Sequence, residues 1–384
     1  MPSFHKVKRK RIAIFAEKLY GGGVEKILQT VCRNFDYTRY DVTLYASRKE
    51  EMPLGTYPGH LKISYYFDSG NNFGAKIKNK LKLWVYYHFS PSVYYRLFIR
   101  EIFDVGIAFI EGYATRLLSG APEKIKKIGW VHIELDTFHW TDVAFRSRQE
   151  EVQCYQKLNQ IVCVSETVKR QVVRLFGRSD STIVLYNPIE KDRILALAED
   201  GLPEDYKTRK HQIRIISLGT LNKRKSYDRL LIAFNRLINN GLDAELLVLG
   251  SGREYDSLVS YITENALDDY VHLVGFVHNP YPFVKSADIY VCSSLAEGYN
   301  TAVSEALILG RAIVSTEVSG IKEQLGVHSE YGIVTENSID GLYRGLAQMC
   351  HNGTFLTYQA KACEIVERYN LENQMNKIYR VIES

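Results

Sequence analysis

The chain has 384 residues, 46% hydrophobic and 24% charged, an ordinary globular composition whose length suits two domains at roughly 100–200 residues each. No apolar run reaches the roughly 18 residues of a spanning helix, and six cysteines without a CxxC pair argue against a disulfide or metal framework and for buried free thiols. The net charge of +5 hides an asymmetry: residues 1–100 carry 18 Lys/Arg against 7 Asp/Glu, residues 201–384 carry 18 against 22, so an anionic partner is expected for the first half.

The chain opens on a basic stretch, and the apolar run Ile12–Ala16 that follows is too short for a signal-peptide core. A cytoplasmic protein is expected. Arg11–Ala16 reads as a buried strand, Val24–Phe35 as a helix from the spacing of Val24, Ile27, Leu28, Val31 and Cys32, and Asp41–Ala46 as a second strand. Val105–Ile110, Ile128–His132 and Ile161–Ser165 read as further strands, Thr167–Phe176 as a helix and Thr182–Tyr186 as a short strand. Asn187-Pro188 marks a break, and the charged stretch Ile189–Lys210 reads as a linker. The second half repeats the alternation, with strands at Ile213–Leu218, Glu245–Leu249, His272–Val274, Ala287–Cys292 and Ala312–Ser315. Helices are expected between them at Tyr227–Ile238, Glu254–Asn265 and Thr301–Leu309, and later at Ser338–His351 and Leu371–Ile382. Strands alternating with helices predict an α/β class with parallel sheets, in two doubly wound domains that bind ligands at the carboxyl ends of their strands.

Four loops at such ends carry chemistry. Gly21-Gly22-Gly23 precedes a helix, where glycines admit a close ligand and a helix amino end offers N–H groups to a phosphate; a plain tight turn is the other reading. Gly219–Lys225 places Lys223, Arg224 and Lys225 after a strand, a placement that suits a diphosphate or a solvated basic loop. Gly250-Ser251-Gly252 is a Gly-x-Gly turn, but Tyr255 stands where a dinucleotide fingerprint needs its third glycine, so a nicotinamide cofactor is not supported. Ser293–Ala306 runs from a strand through Glu297-Gly298-Tyr299-Asn300-Thr301 into a helix bearing Glu305 in an apolar stretch. A carboxylate there needs a partner, either vicinal ribose hydroxyls or a structural salt bridge or cap. His132, at the carboxyl end of a strand, is read either as a satisfied structural histidine or as a ligand contact.

The frame EGYNTAVSEA, with seven residues between Glu297 and Glu305, resembles the E-x7-E motif of retaining glycosyltransferases of family 4, here of the bacterial cell-envelope polysaccharide type. GGGVEK, GWVHIELD, CVSETVKRQV, VLYNPI, SLGTLNKRKSYDRLL, LLVLGSG, VHLVGF and ADIYVCSS match in order, so the resemblance covers nearly the whole chain. It implies a GT-B fold of two Rossmann-like domains with an interdomain cleft: residues 1–190 for the acceptor, 191–366 for the nucleotide-sugar, and a final helix in 367–384 crossing back to the first. It also implies retention of anomeric configuration, no metal, and a nucleotide-sugar donor, taken as a UDP-sugar. By position, Glu305 would hold the ribose, and Glu297 and His132 would face the donor sugar. Lys225 would neutralise the diphosphate, Gly22 and Gly23 would admit the phosphates, and the backbone at Tyr299, Asn300 and Thr301 would line sugar and diphosphate. Gly275 and Phe276 would touch the base, and Gly250 belongs to the same donor-binding set. One departure stands out: the family usually has Arg where this chain has Thr220, and Arg224 or Lys223 is the candidate to supply that charge.

Lys76, Lys78, Lys80 and Lys82 are followed by Leu83, Trp84, Tyr86, Tyr87 and Phe89, a mixture that suits either an ordinary surface helix or contact with an anionic membrane. A glycan or lipid-linked acceptor at the inner face of the cell membrane is the setting this implies. The rival from another class is a non-catalytic glycosyltransferase-like subunit. Nucleic acid is not expected as a partner, because no stacking platform or nucleic-acid module accompanies the basic first half.

Overall fold

The structure, a computed structural model, describes residues 9–49, 51–67, 69–70, 72–136 and 139–384. The basic amino-terminal run up to residue 8 lies outside them. Two compact units are present: Met1–Pro188 with Glu372–Ser384, and Ile189–Leu371.

The first unit holds a seven-stranded parallel sheet: β1 (Lys10–Phe15), β2 (Tyr40–Ala46), β3 (Lys62–Tyr65), β4 (Val105–Ala108), β5 (Lys126–Val131), β6 (Gln160–Cys163) and β7 (Thr182–Val184). Their order is β3-β2-β1-β4-β5-β6-β7. Ile12–Phe15 and Val105–Ala108 are buried along their whole length, as a sheet covered on both faces by helices requires. The final helix Leu371–Glu383 packs on this unit through Met375, Ile378, Val381 and Ile382. Tyr379 stacks on Tyr40 at 5.5 Å, and its hydroxyl donates to the Asn34 carbonyl at 2.9 Å.

The second unit holds a six-stranded parallel sheet: β8 (Ile213–Leu218), β9 (Ala244–Leu249), β10 (Val271–Gly275), β11 (Ile289–Cys292), β12 (Ala312–Thr316) and β13 (Ile333–Thr335), in the order β10-β9-β8-β11-β12-β13. That is the Rossmann order, in which chain direction across the sheet reverses between β8 and β11. Arg214 on β8 faces Glu245 on β9 in register, and their side chains pair at 2.6 Å almost out of reach of water. The helix Tyr227–Asn239 buries Tyr227, Leu230, Leu231, Phe234 and Leu237, the pattern its sequence spacing predicts.

The expected linker is corrected. Ile189–Lys210 contains two short helices, Lys191–Leu197 and Glu204–Lys207, and Ile189, Ile194 and Ala198 enter the core of the second unit. Ile194, Leu197 and Ala198 stand at helical spacing, but the helix they mark is only two turns long and the charges around them hide it. Elements without a counterpart in the sequence reading include β3, β13 and the helices Tyr113–Ser119, Arg148–Gln156 and Thr354–Ile365, while the stretch read as a surface helix is the helix Phe73–His88, followed by Pro91–Phe98. The helices at 73–119 are held by Arg116, which is fully buried. Its guanidinium pairs with Glu150 at 3.0 Å, caps the Phe89 carbonyl at 3.2 Å and lies over the Tyr86 ring at 4.2 Å. Glu150→Ala strands that cation, and is expected to lower stability by about 3–5 kcal/mol in denaturant unfolding. A loss below about 1 kcal/mol would show that the pair does not anchor these helices.

Candidate functional site

The reversal between β8 and β11 opens the second unit at the carboxyl ends of its strands. The two loops that leave it, Gly219–Ser226 and Ser293–Asn300, are sewn together. The Leu295 amide donates to the Arg224 carbonyl at 2.8 Å, and the Ser293 hydroxyl donates to the Lys225 carbonyl at 2.8 Å. Asn222 closes its own turn by accepting the Lys225 amide on Oδ1 at 3.1 Å. Ser226, at φ 54, ends the loop in the left-handed region, a conformation that costs a serine about 1 kcal/mol and is held by the surrounding contacts.

These constraints bring three charges together. Glu297, 8% exposed, accepts from Lys225 Nζ at 2.7 Å and Ser294 Oγ at 2.7 Å on one oxygen, and from Arg224 Nη1 at 3.1 Å on the other. Arg224 also reaches the Ala296 carbonyl at 3.0 Å. Burial alone would raise the Glu297 pKa, but Lys225 and then Arg224 more than offset it and hold it at about 2. The carboxylate is therefore charged across the whole working range of pH, and it partly neutralises its two cations. Arg224 thus stands beside Lys225 as a second cation, while Thr220 is exposed.

Glu305 lies on the helix Thr301–Ile308, 4% exposed, and accepts from the Tyr281 hydroxyl at 3.2 Å. Asn300 caps this helix by accepting the Ala302 amide at 3.1 Å, and its carboxamide donates to Cys292 Sγ at 3.1 Å. Thr301 is the first helical residue, with Tyr299 two positions before it. Gly250 has a structural reason: at φ +144, a Cβ there would come within 1.9 Å of the Gly219 carbonyl oxygen. Gly275, at φ +82, accepts the Gly250 amide at 2.8 Å, and Phe276 beyond it is half exposed.

The first unit has its own switch point, between β1 and β4. Gly22 caps the helix Gly23–Arg33, and a side chain at Gly22 would meet the Glu25 carboxylate at 2.3 Å. His132 follows β5, is 7% exposed, and stacks on Trp130 at 5.8 Å. Burial pushes its pKa down to about 3, so it is neutral at physiological pH. The Phe109 backbone holds one ring nitrogen, which leaves the buried Nε2 as a lone-pair acceptor. This is chemistry for orienting a hydroxyl, and it does not suit a cationic acid. Glu111, after β4, accepts the His132 amide at 2.9 Å and the Trp140 indole N–H at 3.3 Å.

Sequence reasoning missed Glu17, Glu111, Tyr281 and Ser294. The first two were signalled by a carboxylate directly following a buried apolar run, the same signal that singled out His132. Burial, and then the charge of Glu111, raise the Glu17 pKa to about 7. Among the described residues, His139, Asp142 and Glu151 approach metal-ligand spacing, but Arg148 already pairs with Glu151. Of the cysteines, five are buried thiols and Cys363 is exposed; all six are free.

Glu17 is protonated more readily in the folded chain, at about 7, than at its ordinary value of 4.5. Folding therefore takes up a proton between those values, and stability falls as pH rises through that window. Glu17→Gln, neutral throughout, is expected to gain about 1–3 kcal/mol over the wild type at pH 8 and little at pH 4.5, read from unfolding curves at both values. An equal effect at both would remove the assigned shift.

Comparisons with known proteins bear on the fold and on what the chain is similar to. Residues 212–352 match the family described as Glycosyl transferases group 1. The N-acetylgalactosamine-N,N'-diacetylbacillosaminyl-diphospho-undecaprenol 4-alpha-N-acetylgalactosaminyltransferase of Campylobacter jejuni is 30% identical over 200 residues, covering 51% of this chain and 52% of that protein. The phosphatidylinositol N-acetylglucosaminyltransferase GPI3 subunit of Saccharomyces cerevisiae is 29% identical over 179 residues, covering 44% of this chain and 38% of that one. The chain thus spans about half or less of these curated relatives. In fold, it is similar to Anabaena Alr3699/HepE in complex with UDP and glucose, with TM-score 0.74, 15% identity and coverage of 98% and 100%. It is similar to S. aureus TarM in complex with UDP, with TM-score 0.74, 12% identity and the same coverage. Residues 212–352 are thus similar to the glycosyl transferases group 1 domain, and the two parallel α/β sheets of the chain share the GT-B fold of these structures.

Proposed function

We propose that the chain is a retaining glycosyltransferase that moves a sugar from a UDP-sugar to a lipid-linked or glycan acceptor in cell-envelope polysaccharide synthesis. The observation that carries this is the Glu297 carboxylate held between Lys225 and Arg224 at the switch point of the second sheet. Two cations drawn together by one buried anion form a receptor for a second anion of higher charge. A nucleoside diphosphate meets that description. The name of the Campylobacter relative gives a diphospho-undecaprenol acceptor, and the Anabaena and S. aureus proteins of like fold bind UDP. Both features are proposed for this chain by likeness.

In the proposed mechanism the diphosphate shares Lys225 and Arg224 with Glu297, which keeps its charge compensated as it faces the sugar. Cleavage of the sugar–phosphate bond passes through an oxocarbenium-like transition state in which the leaving diphosphate gains charge. Lys225, Arg224 and the amino end of the helix Thr301–Ile308 meet that charge without requiring a metal ion. The acceptor hydroxyl attacks from the side the diphosphate leaves, and the departing phosphate oxygen takes its proton. Glu297 is then a positioning residue, Glu305 the ribose clamp, and neutral His132 an acceptor for a substrate hydroxyl. The half-exposed ring of Phe276 and the backbone at Gly275 suit the base.

Release of free nucleotide from a panel of sugar nucleotides tests the activity. Glu305→Ala is expected to raise KM for the preferred donor about tenfold to a hundredfold, by loss of charge-assisted hydrogen bonds to the ribose. Lys225→Ala is expected to lower kcat about a hundredfold to a thousandfold. No nucleotide release from any UDP- or GDP-sugar in the presence of lipid-linked acceptor would favour the non-catalytic reading, and inverted product would sink the retaining mechanism.

A further inference from the structure

Residues 69–100 contain six Lys/Arg and no Asp or Glu. Within them the helix Phe73–His88 buries Ala75, Val85 and Tyr86 against the first unit. At 100° per residue, those positions centre on one side of the helix, and Phe73, Ile77, Leu81 and Trp84 line the opposite side. All four are exposed, at 79%, 50%, 57% and 50%. An apolar stripe of that length facing water at helical spacing is uncommon on a soluble surface. The lysines explain what it faces. Lys76 and Lys80 flank the stripe on one edge and Lys78 on the other, all three exposed, while Lys82 turns inward to donate to the Tyr66 carbonyl. The sequence alone shows lysines at alternate positions and no clean face; the structure resolves them into a basic border around an apolar centre. Leu97 and Arg96 on the following helix Pro91–Phe98 extend the same exposed surface.

We propose that this helix lies flat on an anionic lipid bilayer, with Phe73, Ile77, Leu81 and Trp84 entering the headgroup–acyl boundary and Lys76, Lys78 and Lys80 meeting lipid phosphates. An apolar stripe alone would fit a second copy of the chain or a protein partner equally well. The lysines that border it, in a segment 69–100 without Asp or Glu, favour an anionic lipid over a copy of itself, whose matching lysines would repel. No helix among the described residues is long and apolar enough to cross a membrane, so such attachment is peripheral. The surface gives a reason for a lipid-linked acceptor, and it rests on the proposed function only for that purpose.

The test uses the full chain, without donor or acceptor, co-sedimented with vesicles of phosphatidylglycerol and phosphatidylcholine or of phosphatidylcholine alone. Binding to the anionic vesicles is expected. Leu81→Glu with Trp84→Glu is expected to weaken it at least about tenfold, and the triple reversal Lys76→Glu, Lys78→Glu, Lys80→Glu about a hundredfold at low salt. These side chains are exposed, so both variants are expected to melt as the wild type does. Failure to bind anionic vesicles, or binding that neither variant weakens, overturns the proposal. So does a concentration-dependent dimer that Leu81→Glu with Trp84→Glu abolishes, since the stripe then belongs to a second copy. Nucleotide release is read separately: binding without release leaves the docking surface standing and removes the proposed activity, and release without binding does the reverse.

Discussion

A carboxylate buried between a lysine and an arginine either keeps both cations or exchanges them for partners that replace their charge. Glu297 is in that position. Moving it into the protein interior is costly, and only the close approach of Lys225 and Arg224 makes the charged form the stable one. The loops around it follow from that requirement. The Asn222 turn, the left-handed Ser226 and the bonds from Leu295 and Ser293 all fix where Lys225 and Arg224 stand.

The sheet supplies the place. In the order β10-β9-β8-β11-β12-β13, chain direction reverses between β8 and β11, and the loops that follow those two strands meet at this switch point. Gly250, just past β9, lets the backbone approach the Gly219 carbonyl just past β8 more closely than any side chain would allow. The first unit gathers a different set after β1, β4 and β5: Glu17, its pKa raised by burial and by the charge of Glu111, and His132, kept neutral by burial. Under the proposed function the difference is chemical sense: fixed positive charge suits a diphosphate, and the neutral His132 imidazole suits a hydroxyl.

Much of this was legible in the sequence. Buried parallel strands announce themselves as apolar runs, so the strands of both sheets that carry the site were found within a few residues. The Glu297–Glu305 frame and the basic loop at Arg224–Lys225 were visible as residue types at strand ends. What the sequence did not disclose was pairing. That Lys225 and Arg224 share Glu297, or that Asn300 bonds Cys292, depends on contacts across some 70 residues or on loop geometry. Ile189–Lys210 misled because its helical anchors, Ile194, Leu197 and Ala198, span too few residues to stand out among its charges. The helix Phe73–His88 was obscure for the opposite reason: apolar residues on both its faces blur the periodicity, and only packing says which face is covered.

The account stands or falls on whether the cations around Glu297 receive a diphosphate. Calorimetric affinities of UDP and of uridine for the wild type and for Lys225→Met measure that directly. The account predicts UDP binding at least about tenfold tighter than uridine in the wild type, a preference largely lost in the variant while uridine affinity is unchanged. Equal affinities for UDP and uridine in the wild type, or a preference that survives in Lys225→Met, would contradict it.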